Sequence, residues 1–183
     1  VGHGDQEDFF GEEAVSGNVK DIKSLTYDHS FKVNPEIACK VKEADLIILS
    51  PGSLYTSILP HLITDEVRDA LAKSSAPIMY ISNLVSQPGE TDGYTVRDHV
   101  DALNIYLGDR SVDVVIANDG QVSMEVSDVY REKEQKTVVR LDRQEIEMED
   151  IEVISGDIIR IEDGSIRHDE LKTAYLVFSY LMR

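Results

Sequence analysis

The sequence predicts a three-layer α/β domain over residues 1–183, with a mostly parallel sheet and helices on both of its faces. Three short apolar runs, at 45–50, 77–83 and 112–118, have the composition of strands buried on both faces of a parallel sheet. The segments between them carry apolar residues at helical spacing, and this order predicts parallel strands with right-handed crossovers. A chain of 183 residues is long enough to bury such a sheet as one domain.

The region before the first buried strand is predicted to form short strands and one helix. The strands are expected around 13–15 and 22–27. A helix is expected over 35–44, because Asn34 is a suitable N-cap and proline occupies the first helical position. The first buried strand follows this helix, and Pro51-Gly52 ends it.

The middle of the chain continues the alternation. A second helix is expected over 64–72, with Thr64 as its cap and two carboxylates in its first turn. After the strand at 77–83 comes a long polar loop, and then a helix from 96 to about 107 that Thr95 caps. The third buried strand ends at Asp119-Gly120.

The C-terminal part of the chain is more mixed. Residues 138–141 and 151–154 are expected to form strands, and the acidic stretch 144–150 between them a solvated helix or loop. The chain closes on an apolar helix over 169–182.

The charge balance limits the partners of the protein. Thirty-five acidic residues against 18 basic ones leave a net charge of −17, which repels nucleic acid and anionic membranes. An anionic ligand must therefore find local donors, such as backbone N–H groups, helix N-termini or a bound divalent cation. The single cysteine, Cys39, is expected to be inert helical core, and one cysteine agrees with a reducing compartment. We expect a cytoplasmic location, since the N-terminus does not have the pattern of a signal peptide.

The loop after the first buried strand is the strongest candidate for a ligand site. Gly52 allows close approach of a ligand to the backbone, and Ser53, Thr56 and Ser57 carry hydroxyls into the next segment. Together they predict a phosphate cradle, although a serine-capped turn that only begins a helix explains the same residues. The loop has neither the lysine of a P-loop nor the GxGxxG of a dinucleotide site.

The loop at 83–95 is longer than an ordinary strand–helix connection. Asn83 and Gln87 can donate to and accept from a base or sugar. Glu90 and Asp92 can hold Mg²⁺, which prefers carboxylates and phosphate oxygens, but ordinary turn and capping chemistry also accounts for this acidic pair.

Two residues further along the chain are weaker candidates. Arg167 can clamp a phosphate with two hydrogen bonds, or simply pair with a carboxylate at the surface. Tyr130 can stack on a base, or pack in the interior. His99 is expected to be structural, and no nucleophile–base pair is evident in the sequence.

Taken in order, four motifs carry a family resemblance. Residues 44–58 (ADLIILSPGSLYTSI), Asn83 with 87–92 (QPGETD), Asp98-His99 and 167–169 (RHD) resemble the YvcK-like gluconeogenesis factor family of the CofD-like superfamily. That superfamily also contains the phospholactate transferase of deazaflavin-cofactor synthesis. The resemblance covers roughly residues 11–183.

The resemblance implies a Rossmann-like fold, binding of UDP-sugars, and a role in bacterial cell shape and wall maintenance on gluconeogenic carbon sources. Members usually begin with a strand and a Gly-Gly-Gly-Thr-Gly turn, so we expect the chain to be the C-terminal portion of a longer protein. Ser50, Val85-Ser86 and His61 depart from the usual residues of the family. The ligand-binding positions that it implies are Gly52, Ser53, Tyr55, Thr56, Asn83, Gln87, Glu90, Thr91, Tyr130 and Arg167.

Three functions are compatible with these observations. The first is a non-enzymatic regulator that senses a UDP-sugar, and it is the one we expect. The second is a transferase that moves a phosphate-linked group from a nucleotide, with Mg²⁺ held by Glu90 or Asp92. The third is an assembly module that forms a homo-oligomer through its acidic surface and last helix.

Overall fold

The computed structural model describes the backbone of residues 1–183 and every side chain except that of Asp21. A small antiparallel sheet forms its N-terminal region, in the order β2-β1-β3. The elements of this region are β1 (Gly2–Gly4), β2 (Asp8–Phe9), α1 (Glu12–Gly17), a 3₁₀ turn (Val19–Asp21) and β3 (Ile22–Leu25).

The prediction of a strand near 22–27 is confirmed, and that of a strand at 13–15 is wrong. Residues 13–15 lie in α1, where the carboxylates of Glu12 and Glu13 occupy the first turn and interact favourably with the helix dipole.

In chain order the remaining elements are α2 (Glu36–Glu43), β4 (Ile47–Leu49), a π-helical turn (Leu54–Ile58), α3 (Leu59–Leu62), α4 (Asp65–Lys73), β5 (Ile78–Ile81), α5 (Val96–Leu107), β6 (Val114–Asn118), α6 (Met124–Glu134), α7 (Arg143–Glu147), β7 (Glu152–Gly156), β8 (Ile159–Glu162), β9 (Ser165–His168) and α8 (Glu170–Leu181).

The main sheet is parallel, as predicted, with its strands in the order β4-β5-β6-β7. Strands β5 and β6 are buried almost throughout. Strand β4 lies at one edge, and its central residue Ile48 is 43% exposed. The prediction that 45–50 is buried on both faces is therefore wrong, because β4 is an edge strand and the side chain of Ile48 is left partly open.

Local capping signals set the starts of several helices. Asn34 accepts a hydrogen bond from the backbone of Glu36 at 3.0 Å, and Thr95 and Asp98 form a complete capping box at the start of α5. Thr64 precedes α4 but does not cap it, because its hydroxyl donates to the carbonyl of His61.

The sequence-based boundaries fail mainly in the C-terminal half. Residues 138–141 do not form a regular strand, since Val138 makes only an isolated antiparallel bridge to Val85. Helix α6 and the β8–β9 hairpin were not predicted. Cys39, expected in the core, is exposed on α2 and donates to Glu43 at 3.3 Å.

Alternate residues of the sheet enter two separate cores. Tyr80 and Val115 pack with α3, α5 and the N-terminal region on one face. Met79 and Ile116 pack with α6, α8 and the hairpin on the other. Helices thus cover both faces of the sheet, and the predicted three-layer Rossmann-like fold is confirmed.

The final helix carries an apolar stripe on its outer side. Leu171, Tyr175, Phe178 and Met182 are 83%, 71%, 63% and 83% exposed. The prediction of an apolar helix over 169–182 is confirmed, but these four side chains face solvent within the described chain. No helix of the described residues has the length and apolar character that a membrane crossing requires.

The imidazole of His99 is fully buried in the first core and has one nitrogen without a partner. Its Nδ1 lies 2.8 Å from the carbonyl oxygen of Thr95, which only accepts, so Nδ1 carries the proton. Its Nε2 is buried and has no hydrogen-bond partner among the described residues. The ring of Tyr80 stacks near the imidazole with the centroids 6.3 Å apart, and the ring of Tyr94 meets it edge-on at 5.4 Å. Burial lowers the pKa of His99 below its ordinary value of 6.5.

We expect the free energy of unfolding to fall as the pH drops below 6.5, the ordinary pKa of histidine. The unfolded chain then binds a proton on this imidazole at higher pH than the folded chain does, so acid stabilises the unfolded state. Burial lowers the pKa of His168 as well, which adds an effect of the same sign. Urea unfolding at several pH values measures the dependence.

The variant His99→Asn keeps a donor for Thr95 and removes the titrating ring. It is expected to be less stable at neutral pH, because it leaves a cavity, but to show a shallower pH dependence than the unchanged protein. His61→Asn, at an exposed position, serves as the control. An equal pH dependence in the unchanged protein and in His99→Asn would contradict this assignment.

Candidate functional site

The loops that follow β4 and β5 meet at the carboxyl edge of the sheet, where ligands bind in parallel α/β folds. The side chain of Asn83 joins them. Its Oδ1 accepts from the backbone N–H of Gly52 at 3.2 Å, and its Nδ2 donates to the carbonyl of Gly52 at 2.9 Å. The amide thus pairs with the backbone of Gly52 as a neighbouring strand would, and fixes the position of the first loop relative to the second.

A second connection runs through the carboxylate of Glu90, which is only 3% exposed. Thr56 Oγ1 donates to its Oε1 at 2.8 Å, and the backbone N–H of Tyr55 donates to its Oε2 at 3.3 Å. Gln87 Nε2 is 3.3 Å from Oε1, and Gln87 Oε1 accepts from the hydroxyl of Ser53 at 2.5 Å. A buried charge with three donors holds the two loops together.

Glu90 occupies part of the predicted phosphate cradle. The amide of Tyr55 and the hydroxyl of Thr56, which were expected to face an anionic ligand, face this internal carboxylate instead. The donors lie on the π-helical turn 54–58, a rare conformation that is frequent at functional sites.

Open space remains on the β4 side of the cradle. A cavity of about 410 Å³ is lined by Ile48–Gly52, by Ser57 and Ile58, and by His61. A methyl group added at Gly52 would meet Ser57 Cβ at 3.5 Å and Ile58 Cγ1 at 3.8 Å, both ordinary contacts. Packing therefore does not require glycine at this position, and its backbone is open to a ligand in the cavity.

Tyr55, the aromatic residue of the first loop, does not line this cavity. Tyr55 and Thr56 line a different cavity, of about 240 Å³, between the loop and the N-terminal region. The hydroxyls of Tyr55 and Tyr94 are 3.2 Å apart, and burial, followed by this hydrogen bond, raises the pKa of Tyr55. Four of the predicted site residues are thus divided between the two cavities, with Gly52 and Ser57 in the one of 410 Å³ and Tyr55 and Thr56 in the one of 240 Å³.

The loop at 83–95 is organised by its own hydrogen bonds. Thr91, fully buried, accepts from the backbone of Gln87 at 2.9 Å. Asp92 is exposed and accepts from the backbone of Gly89 at 2.9 Å, as a turn residue does. The described residues include no group of three or more His, Cys, Asp or Glu side chains arranged to hold a metal ion. The carboxylates of Glu90 and Asp92 therefore do not form a metal cage by themselves.

The sequence did not indicate that α1 contributes to this region. Gly89 has a φ of 83°, and a Cβ there would lie 2.5 Å from the carbonyl oxygen of Ser16. The Nε2 of Gln87 also donates to the hydroxyl oxygen of Ser16, at 3.4 Å. Glycine is required at position 89 by both the backbone angle and this close contact.

Tyr130 and Arg167 are not brought to the cradle. Tyr130 is 4% exposed in the second core, and its hydroxyl accepts from the backbone N–H of Ile166 at 2.5 Å, so its ring is not open to a base. Arg167 is exposed on β9, between Ile166 and His168. Because side chains alternate along a strand, Arg167 points away from the side on which His168 contacts the carbonyl of Ser82 at 3.0 Å.

Comparisons with known proteins agree on one family. The family model described as 2-phospho-L-lactate transferase CofD matches residues 3–159. The gluconeogenesis factor of Bacillus subtilis is 40% identical over 147 residues, covering 80% of this chain and 46% of that protein. The putative gluconeogenesis factor of Clostridium acetobutylicum is 39% identical over 142 residues, covering 78% and 31%.

Solved structures agree with the sequence comparisons. A crystal structure of a Bacillus halodurans protein superposes with a TM-score of 0.74 at 33% identity, covering 80% of this chain and 47% of that one. The chain thus spans about half the length, or less, of these relatives and of this structure.

We expect Glu90→Gln to lower the free energy of unfolding by about 1–3 kcal/mol, because the new amide places an N–H donor where a carboxylate oxygen accepted from buried donors. Glu132→Gln, at an exposed position outside the first turn of α6, should change it by less than about 0.5 kcal/mol. Urea unfolding of both variants measures the difference.

A double-mutant cycle with Thr56→Val tests the contact itself. The two substitutions share one hydrogen bond, so their effects should deviate from additivity by more than about 0.5 kcal/mol. Strictly additive effects would show that Thr56 and Glu90 do not interact in solution.

Proposed function

This chain belongs to the CofD family and, within it, to the YvcK-like gluconeogenesis factors, and from that premise we propose that it is a regulator which binds a UDP-sugar. The proposal extends to a part in cell-shape and wall maintenance on gluconeogenic carbon sources, which the family resemblance implies. Because the chain spans only part of its relatives, the activity of a whole protein is itself part of the proposal.

The observation that carries the proposal is the clamp between Asn83 and Gly52 beside the 410 Å³ cavity. The clamp fixes a glycine whose position packing does not require, at the sheet edge where ligands of such folds bind. The hydroxyl of Ser57 and the imidazole of His61 line the same cavity and can bind sugar or phosphate oxygens. In a protein with a net charge of −17, such local donors are what an anionic ligand needs.

The use of the hydroxyls favours binding over chemistry. Ser53 donates to Gln87 and Thr56 donates to Glu90, so both hydroxyls serve to join the two loops. His99 is buried, and its Nδ1 is bound to the backbone. Among the described residues these contacts support a sensor, which binds its ligand without making or breaking covalent bonds.

A transferase is the second candidate, favoured by the match to the family model of 2-phospho-L-lactate transferase. Transfer of a phosphate-linked group needs mainly positioning and a cation. Three protein donors already engage the carboxylate of Glu90, and a backbone N–H engages that of Asp92. These two carboxylates are therefore not free to hold Mg²⁺ by themselves, and the cation would enter the site bound to the phosphates of the nucleotide.

Binding is tested by the melting temperature of the full chain with UDP-N-acetylglucosamine. At about 100 times the dissociation constant, a ligand stabilises the folded state by about 2.7 kcal/mol, which corresponds to a rise of the order of 5 °C. Gly52→Ala is expected to melt normally without ligand and to lose the shift, because its methyl group projects where the ligand approaches. Gly17→Ala, which has no atom within 4 Å of its added methyl group, is the matched control. An unchanged melting temperature across a panel of UDP-sugars would rule out the sensor.

Turnover separates the two candidates. With a nucleotide donor, Mg²⁺ and phosphorylated acceptors, we expect no release of nucleoside monophosphate above the uncatalysed rate, as followed by ³¹P NMR. Release that requires Mg²⁺ and falls by about tenfold or more in Asp92→Asn would replace the regulator with the transferase.

A further inference from the structure

A third cavity opens beyond the carboxyl end of β6, and none of the predicted ligand-binding residues lines it. Its volume is about 440 Å³, and it is lined by 118–120, 138–141 and Arg143. Neighbouring strands of a sheet are about 4.8 Å apart, so the ends of β4 and β6 are separated by roughly 10 Å. The cavity therefore lies on the ligand-binding edge of the sheet but away from the Gly52 cradle.

The walls of this cavity are firmly positioned. The side chain of Asn118 donates to the carbonyl of Gly120 at 2.8 Å and accepts from the backbone of Ile158 at 3.1 Å. In the lining segment 138–141, the backbone N–H of Val139 donates to the carbonyl of Leu84 at 2.9 Å. The carbonyl of Arg140 accepts from the backbone N–H of Val96 at 3.0 Å, at the start of α5. The backbone of Arg140 is thereby held beside the cavity.

Arg140 differs from most arginines of this chain. Seven of the nine arginines lie within salt-bridge distance of a carboxylate. Arg140 and Arg167 have no such partner among the described side chains, and Arg140 lines this cavity. In a protein with 35 acidic residues, an arginine left without a carboxylate beside a cavity is an unbalanced positive charge at a concave surface.

The carboxylates near this cavity already have partners. Asp119 accepts from the hydroxyl of Ser155, which in turn accepts from Arg143 at 2.6 Å. Glu147 is paired with Arg143 at 2.9 Å. Asp157, which packs against Gly120, is paired with Lys172 at 3.2 Å. None of these contacts neutralises Arg140, so its guanidinium is available to an anion.

We propose that this cavity is a binding subsite for a sugar phosphate, with Arg140 binding the phosphate and Asp119 accepting from a sugar hydroxyl. The planar guanidinium matches two phosphate oxygens at once. Asp119 is exposed at the mouth of the cavity and carries a second carboxylate oxygen that can accept from a hydroxyl, as an acidic residue near a strand end does for the ribose of dinucleotides. The subsite goes beyond the proposed UDP-sugar site and does not depend on it.

Calorimetric titration of the full chain with glucose 1-phosphate and with inorganic phosphate tests the subsite. Both compounds are expected to bind, and glucose 1-phosphate more tightly by about threefold or more, since only it reaches Asp119. Arg140→Gln is expected to weaken both by about tenfold or more, and Arg140→Lys by less, because it keeps the charge and loses the paired geometry. Arg131→Gln, on the exposed face of α6 and paired with Asp128, should change neither affinity.

Two outcomes would overturn the proposal: no heat with either phosphate, or equal affinities in Arg140→Gln and the unchanged protein. Crossed variants separate this subsite from the UDP-sugar site. Gly52→Ala should leave the affinity for glucose 1-phosphate unchanged, and Arg140→Gln should leave the thermal shift with UDP-N-acetylglucosamine unchanged. Loss of both ligands in Arg140→Gln would mean that the two cavities form one site, and would also overturn the separate subsite.

Discussion

The arrangement of the site depends on the buried carboxylate of Glu90 and its three donors. A carboxylate that is 3% exposed is costly to bury, and it remains stable here only because Thr56, Gln87 and the amide of Tyr55 all donate to it. These donors belong to the loops after two neighbouring strands. The carboxylate therefore fixes the distance between the loops, and with it the shape of the crevice in which Asn83 holds Gly52.

An acidic protein that binds anions must concentrate its few donors, and this chain does so along one edge of its sheet. Backbone amides and hydroxyls follow β4, and an arginine without a carboxylate lies beyond β6. Anion binding at either place cannot depend on the electrostatic field of the whole protein, because a net charge of −17 repels anions. Binding at this edge is therefore governed by short-range geometry.

The cavity beside Gly52 lies at the open edge of the main sheet. Strands β4 to β7 are consecutive, so the described sheet contains no reversal of strand order, the point at which ligands usually bind in such folds. The cavity beside Gly52 borders β4, at whose edge Ile48 is 43% exposed.

Much of the fold could be predicted from local sequence. The strands β5 and β6 and the helix α5 have clear signals, namely continuous apolar runs and a Thr95–Asp98 capping box. Residues 13–15 and 138–141 were misassigned because short segments with mixed composition do not distinguish a strand from a helix or an extended connection. The loops after β4 and β5 were located correctly, since glycine, proline and hydroxyl residues mark them.

By itself the sequence determined the parallel order of the sheet, the two polar loops and the family, because periodicity, caps and ordered motifs are local properties. Only the tertiary structure decided that Glu90 fills part of the cradle, that Tyr130 is sealed in the second core, and that Arg140 is left without a carboxylate beside a cavity. These are relations between residues distant along the chain, and their distances and burial are set when the layers pack together.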